Sequence, residues 1–161
     1  MTDLFKDNCD TVDTFNEDIG NWDMSNVIYM DSMFEGASAF EGTNLNKWTV
    51  SSVTSMSNAF KDAASFTGAI GNWDVSSVTN FEGTFSGAAS FDTNIGRWTV
   101  SAATDMSSMF FHCRNYNQPL NKWDVSNVES MANMFESASK FDQNLNDWVV
   151  LSTCNTYYMF A

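Results

Sequence analysis

Tryptophan falls at positions 22, 48, 73, 98, 123 and 148, at spacings of 26, 25, 25, 25 and 25 residues. A fixed period in this range means that one supersecondary unit recurs and that its copies stack, because no single unit buries its own apolar face. Other positions lock to the same period. Three residues before each Trp stands Ile19, Leu45, Ile70, Ile95, Leu120 or Leu145, and two after it Met24, Val50, Val75, Val100, Val125 or Val150. Twelve after it there is always Phe, at 34, 60, 85, 110, 135 and 160. Eighteen after it come Phe40, Phe66, Phe91, Tyr116 and Phe141. The extra residue of the first spacing lies between Phe40 and Leu45. Trp22, Trp48, Trp73, Trp98, Trp123 and Trp148 are accordingly expected in a structural core, stacked repeat upon repeat.

The apolar period changes inside each repeat. In [IL]-x-x-W-x-V, Trp and Val are two apart and share one face of an extended strand. From Val27 onward the apolar residues Val27, Met30, Met33, Phe34 and Ala37 follow the spacing of one helical face. Ser25, Ser51, Ser76, Ser101 and Ser126 stand between the two, where a hydroxyl caps a first helical turn. Ser126 to Glu129 also fits a capping box. A polar loop closes the unit, and the sole proline, Pro119, lies in such a loop. The pattern predicts an α/β repeat solenoid of about six turns of 25 residues. It places a parallel sheet on one face and short helical segments on the other. The chain reads as a single domain over 1–161, with an N-terminal half-repeat or cap at 1–18, five full turns over 19–147 and a partial turn at 148–161.

Strand followed by helical return resembles a leucine-rich repeat with Trp and Val in place of leucines. The unit W-D-V-S-N-V-x-x-M-x-x-M-F-x-x-A-x-x-F is similar to the repeat of BspA-like leucine-rich-repeat surface proteins, the Mycoplasma-lipoprotein type. Residues Trp123 to Phe141 are the nearest match. The resemblance implies a secreted or cell-surface recognition module and supplies no catalytic residue. It also implies that the residues flanking each Trp face a concave binding surface: Asn21, Asp23, Lys47, Thr49, Asn72, Asp74, Arg97, Thr99, Lys122 and Asp124. Acids alternate there with threonines, so like charges do not meet at the strand spacing.

Charge restricts the partners. The chain carries 20 acids and 7 bases, a net charge of −13. Residues 1–41 hold ten of those acids and one base, Lys6. This balance argues against nucleic acid, whose binding requires Lys and Arg to neutralise phosphates. It argues equally against an anionic membrane surface. No apolar run is long enough to span a bilayer, so membrane insertion is not expected. The opening Met1 to Asp7 lacks the basic and apolar stretches of a signal peptide, so a secreted form is expected to have shed its signal. A weak cation site in the acidic first quarter is an open expectation, although Asp7 to Asp13 has the wrong spacing for a calcium loop and lacks its Gly.

Enzyme chemistry is not expected, nor is a cofactor or a metal. Cys9, Cys113 and Cys154 are separated by at least two repeats, too far for a disulfide. Cys9 and Cys113 fill apolar positions. The sole histidine, His112, falls on an outward position beside the inward Cys113, so the two do not form a nucleophile–base pair. One departure from the repeat concerns function. In the last repeat Val149, Leu151, Tyr157 and Tyr158 take positions that are mostly polar or small elsewhere. They mark an expected docking surface for a protein partner, a second copy or further repeats of a larger parent. The alternative to recognition is thus a structural spacer or scaffold segment that docks through its ends.

Overall fold

The computed structural model describes residues 12–161. The 25-residue units stack in register, but by a device other than the expected one. Among the described residues the regular helical elements are two short 3-10 turns, Val12–Thr14 and Leu45–Lys47. Parallel pairing is confined to isolated bridges, Tyr29 with Ser55, Ser55 with Asn80, Asn80 with Asp105, Asp105 with Ser130, and Ser130 with Asn155. These single bridges lie seven residues after each Trp and form no sheet. The expected leucine-rich-repeat-like α/β solenoid, with its parallel sheet and its helical face, is overturned. The reading of the chain as a leucine-rich repeat goes with it.

Backbone geometry explains both corrections. In the segment expected to be helical, Ser32 and Gly36 are left-handed, with φ of 50° and 78°. The same two places in later repeats are Asn58 and Asp62, Gly83 and Gly87, Ser108 and His112, and Asn133 and Ser137, with φ between 54° and 71°. One left-handed residue in every four is incompatible with an α-helix. The amides divide their bonds accordingly. Met33, Glu35 and Ala37 donate to the carbonyls three residues back, Met30, Ser32 and Phe34. The intervening Met30, Ser32, Phe34 and Gly36 donate to Ser55, Ser57, Ala59 and Lys61 of the next repeat, at 2.8–2.9 Å. The apolar side chains keep a helix-like spacing while half of the amides leave the repeat.

The sheet fails for the complementary reason. Around Trp the amides turn inward: Trp73 N–H donates to Ile70 O at 3.0 Å and Val78 N–H to Val75 O at 2.9 Å. They are not available for a ladder with the neighbouring repeat. Side chains still alternate there, with Trp73 and Val75 buried and Asp74 exposed. The serines expected to cap helices have no helix to cap.

Stacked rings fill the core. One phenylalanine column runs Phe34, Phe60, Phe85, Phe110, Phe135 and Phe160, with centroids 5.3–5.9 Å apart. A second runs Phe15, Phe40, Phe66, Phe91, Tyr116 and Phe141, at 5.5–6.1 Å. Within each repeat the two columns touch, as Phe85 and Phe91 do at 4.0 Å. Offset stacks of this kind add to the area that the rings bury. The indoles stand beside them and clasp neighbouring repeats together. Trp73 Nε1–H donates to Leu45 O at 2.9 Å, and Trp48, Trp98, Trp123 and Trp148 make the equivalent bond. Trp48, Trp73, Trp98 and Trp123 are buried, Trp148 is half-buried, and Trp22 at the other end is 36% exposed.

Candidate functional site

The ten residues flanking the tryptophans are all exposed and form two files along the stack. They cannot face the concave side of a sheet, because the described residues form only isolated bridges and no sheet. The file after Trp has a local task. Asp74 Oδ1 accepts the Ser76 amide at 3.1 Å and the Ser76 hydroxyl at 2.6 Å. Asp23 with Ser25 and Asp124 with Ser126 repeat this arrangement. The hydroxyl, then the amide, hold each carboxyl below the ordinary carboxylate range. These aspartates fix the bend that follows Trp, as an Asx-type turn does.

The file before Trp is freer. Lys47, Arg97 and Lys122, three of the chain's seven basic residues, project from it in a strongly acidic protein. Asn72 donates to Asn46 O at 3.1 Å. Shallow grooves run between the repeats. One of about 450 Å³ is lined by Gly71, Asn72, Trp73, Asn94 and Arg97. Another, of about 410 Å³, includes Arg97, Trp98, Lys122 and Asp124. Each places an indole edge beside a cation and hydrogen-bonding groups.

A third groove, of about 470 Å³, lies on another face between Lys61, Asp62, Gly87, Phe111, His112 and Arg114. Lys61 is drawn into an ion pair with Glu35 at 3.0 Å. His112 is half-buried, left-handed, and edge-on to Phe111 with centroids 4.2 Å apart. Cys113 beside it is buried, with Sγ 3.2 Å from Ala88 O, and burial pushes its thiol far from the thiolate form. Cys113 and Cys154 are free thiols, and Cys9 lies outside the described residues. Among the described residues no three His, Cys, Asp or Glu side chains gather as metal ligands. Asp3, Asp7 and Asp10 of the acidic quarter lie outside the described residues. No helix among the described residues is long and apolar enough to cross a membrane.

The last repeat carries the apolar surface expected of it. Val149 is 72% exposed, and Leu151, Tyr157 and Tyr158 are also exposed. The two tyrosine rings meet edge to face at 4.2 Å. Val150 and Phe160 join this surface although the periodicity assigns both to the core, and Phe160 is 64% exposed. The periodicity gives no signal for Phe160, which it treats like every other member of its column. One face stacks on Phe135 at 5.5 Å and the other is open.

Two overlapping stretches, residues 1–110 and 67–161, match one family model, described as a Mycoplasma protein of unknown function, DUF285. No curated protein and no solved structure matches the chain.

Proposed function

The chain belongs to this DUF285 family, and from that premise we propose a non-enzymatic recognition module that binds a protein or glycan through the residues flanking its tryptophans. One observation carries the reading. Lys47, Asn72, Arg97 and Lys122 stand exposed in successive repeats, each beside an indole anchored by burial and by its N–H bond. A row of polar groups on a stiff base loses little freedom on binding. Its cations suit an acidic partner or a hydroxyl-rich one. A setting at the cell surface or outside the cell is part of this reading. The buried Cys113 thiol and the engaged aspartates favour binding over chemistry.

Protein and glycan arrays test this reading, probed with the native chain and with a Lys47→Ala, Asn72→Ala, Arg97→Ala, Lys122→Ala variant. The reading expects ligands for the native chain that the variant loses while its melting is unchanged. No ligand at all, or ligands that the variant keeps, would reject it.

A second reading has its own support. The exposed apolar side chains of the Trp148 repeat favour a spacer or scaffold segment that docks through an end.

A further inference from the structure

Two adjacent repeats in the middle of the stack break the pattern of their neighbours on the face that carries the left-handed turns. Of the five pairs of left-handed places, Gly83 with Gly87 is the one pair without a side chain at either place. Ser86 and Ala89 keep the rest of that repeat low. The next repeat rises instead. Phe111 takes a place held by Glu35, Lys61, Ser86 and Glu136, and Arg114 a place held by Ser38, Ala64, Ala89 and Ser139. The step between the two repeats makes a trough. The groove of about 470 Å³ described above joins a second of about 300 Å³ along Lys61, Ser86 and Phe111. Both volumes fall in the range of small-molecule sites.

The floor of the trough holds a hydrogen-bonding group without a partner. Ser86 is only 7% exposed and lines both grooves, and its hydroxyl makes no hydrogen bond among the described residues. Polar side chains buried to this degree are normally hydrogen-bonded, so the hydroxyl calls for a partner from the groove. The walls are also unengaged. Asp62 Oδ1 overhangs Gly87, close to where a Cβ would stand. The side chains of Asp62, His112 and Arg114 form no hydrogen bond or ion pair among the described residues. Phe111 supplies a half-buried ring, braced by His112 at 4.2 Å between centroids.

Charge narrows the ligand. Lys61 is neutralised by Glu35 at 3.0 Å, and the charges of Asp62 and Arg114 on the same groove cancel. A polyanion would meet Asp62 and a polycation Arg114, and like charges brought together in this way reject a partner. What is left is an aromatic face ringed by donors and acceptors with no net charge. We propose that this trough binds neutral pyranose units of a glycan chain, with a C–H face of the sugar on Phe111 and its hydroxyls toward Ser86, Asp62, His112 and Arg114. The two grooves joined along Phe111 give room for adjoining units. The site lies away from both ends and on a different face from the files beside the tryptophans, so it rests on neither reading above.

Amide chemical shifts followed by NMR test this, on the full chain carrying Lys47→Ala, Asn72→Ala, Arg97→Ala and Lys122→Ala. The probes are cellotetraose, mannotetraose and maltotetraose at millimolar concentration, with tetragalacturonate and tetralysine as charged comparisons. At least one neutral tetrasaccharide should shift the Ser86, Gly87, Phe111 and His112 amides saturably and bind more tightly than either charged probe. Phe111→Ser, which installs the residue of the preceding repeat, should weaken that binding by at least about tenfold, and Phe111→Trp should retain it. Arg114→Ala, which copies Ala89, should weaken it about two- to tenfold. No saturable shift of these amides with any neutral probe overturns the proposal, and so does tighter binding of a charged one. Undiminished binding by Phe111→Ser with native-like melting also overturns it. If Phe111→Ser melts early, the exposed Arg114→Ala decides, and an unchanged affinity there overturns the proposal. Because the titrated chain lacks the side chains beside the tryptophans, failure of the array experiment leaves these outcomes unaffected.

Discussion

Tyr116 stands in the second phenylalanine column, in a place held by Phe40, Phe66, Phe91 and Phe141 in other repeats. Its ring stacks on Phe91 at 5.5 Å, on Phe141 at 6.1 Å and on Phe110 at 4.3 Å. The side chain is fully buried and its hydroxyl has no hydrogen-bond partner among the described residues. Burial drives its pKa well above the usual phenol value. A buried hydroxyl without a partner costs about 1–3 kcal/mol, while the ring contributes as phenylalanine would. Part of that gain is offset by the small void left when the oxygen is removed. Tyr116→Phe is therefore expected to raise stability by about 1–2 kcal/mol, or about 2–8 °C in Tm for a chain of this length. Urea unfolding with an unchanged m-value, together with thermal melting, measures it. Phe91→Tyr is the reciprocal control and should destabilise by a similar amount. If Tyr116→Phe instead lowers stability by about 1 kcal/mol or more, the hydroxyl has a partner and the dry-column account is wrong.

The indole clasp predicts that Trp73→Ala loses about 3–5 kcal/mol. Trp73→Phe, which keeps a ring but leaves Leu45 O without its donor, should lose about 1–2 kcal/mol. Both are read by urea titration, and red-shifted Trp73 emission in the native state would contradict its burial. Gly87 has φ 71°, and a Cβ there would lie 2.1 Å from Asp62 Oδ1. Gly87→Ala should therefore cost at least about 1–2 kcal/mol by the same assay. The Asp23, Asp74 and Asp124 carboxyls titrate below their ordinary value because serine donors hold them charged. Their contribution is complete above about pH 4 and fades as the pH falls through the lowered values. Melting should thus fall off on the acid side, and a triple Asp→Ala variant should show a shallower acid limb. An unchanged limb would refute the role of these turns.

The 25-residue register, the inner core and the exposed files were all legible, because each follows from which residues recur and which alternate. Trp73 and Val75 are buried around an exposed Asp74, as their spacing requires. The secondary structure was not legible from apolar spacing. Met30, Met33, Phe34 and Ala37 share one side of a helix, but they share it equally well in a chain of reverse turns. The discriminating signal lay in the polar positions between them. Ser32 with Gly36, Asn58 with Asp62, and Gly83 with Gly87 are four apart and are residue types that tolerate positive φ. An amphipathic helix does not require such residues at every fourth place. The strand was misread because alternation reports side-chain direction and says nothing of where an amide bonds. In the docking surface, Val149 and Tyr157 were legible as breaks in the repeat. Phe160 was not, since an end position looks like any other member of its column.

The central claim is that left-handed residues send alternate amides to the next repeat. Scalar couplings across hydrogen bonds, measured by NMR between amide nitrogens and carbonyl carbons, test it most directly. The account predicts that Asn58 N couples to Glu82 C′ and Gly83 N to Ser107 C′, partners 24 residues away, through bonds of 2.7 and 2.8 Å. Coupling of Asn58 N to Thr54 C′ and of Gly83 N to Thr79 C′, the pattern of an α-helix, would contradict it.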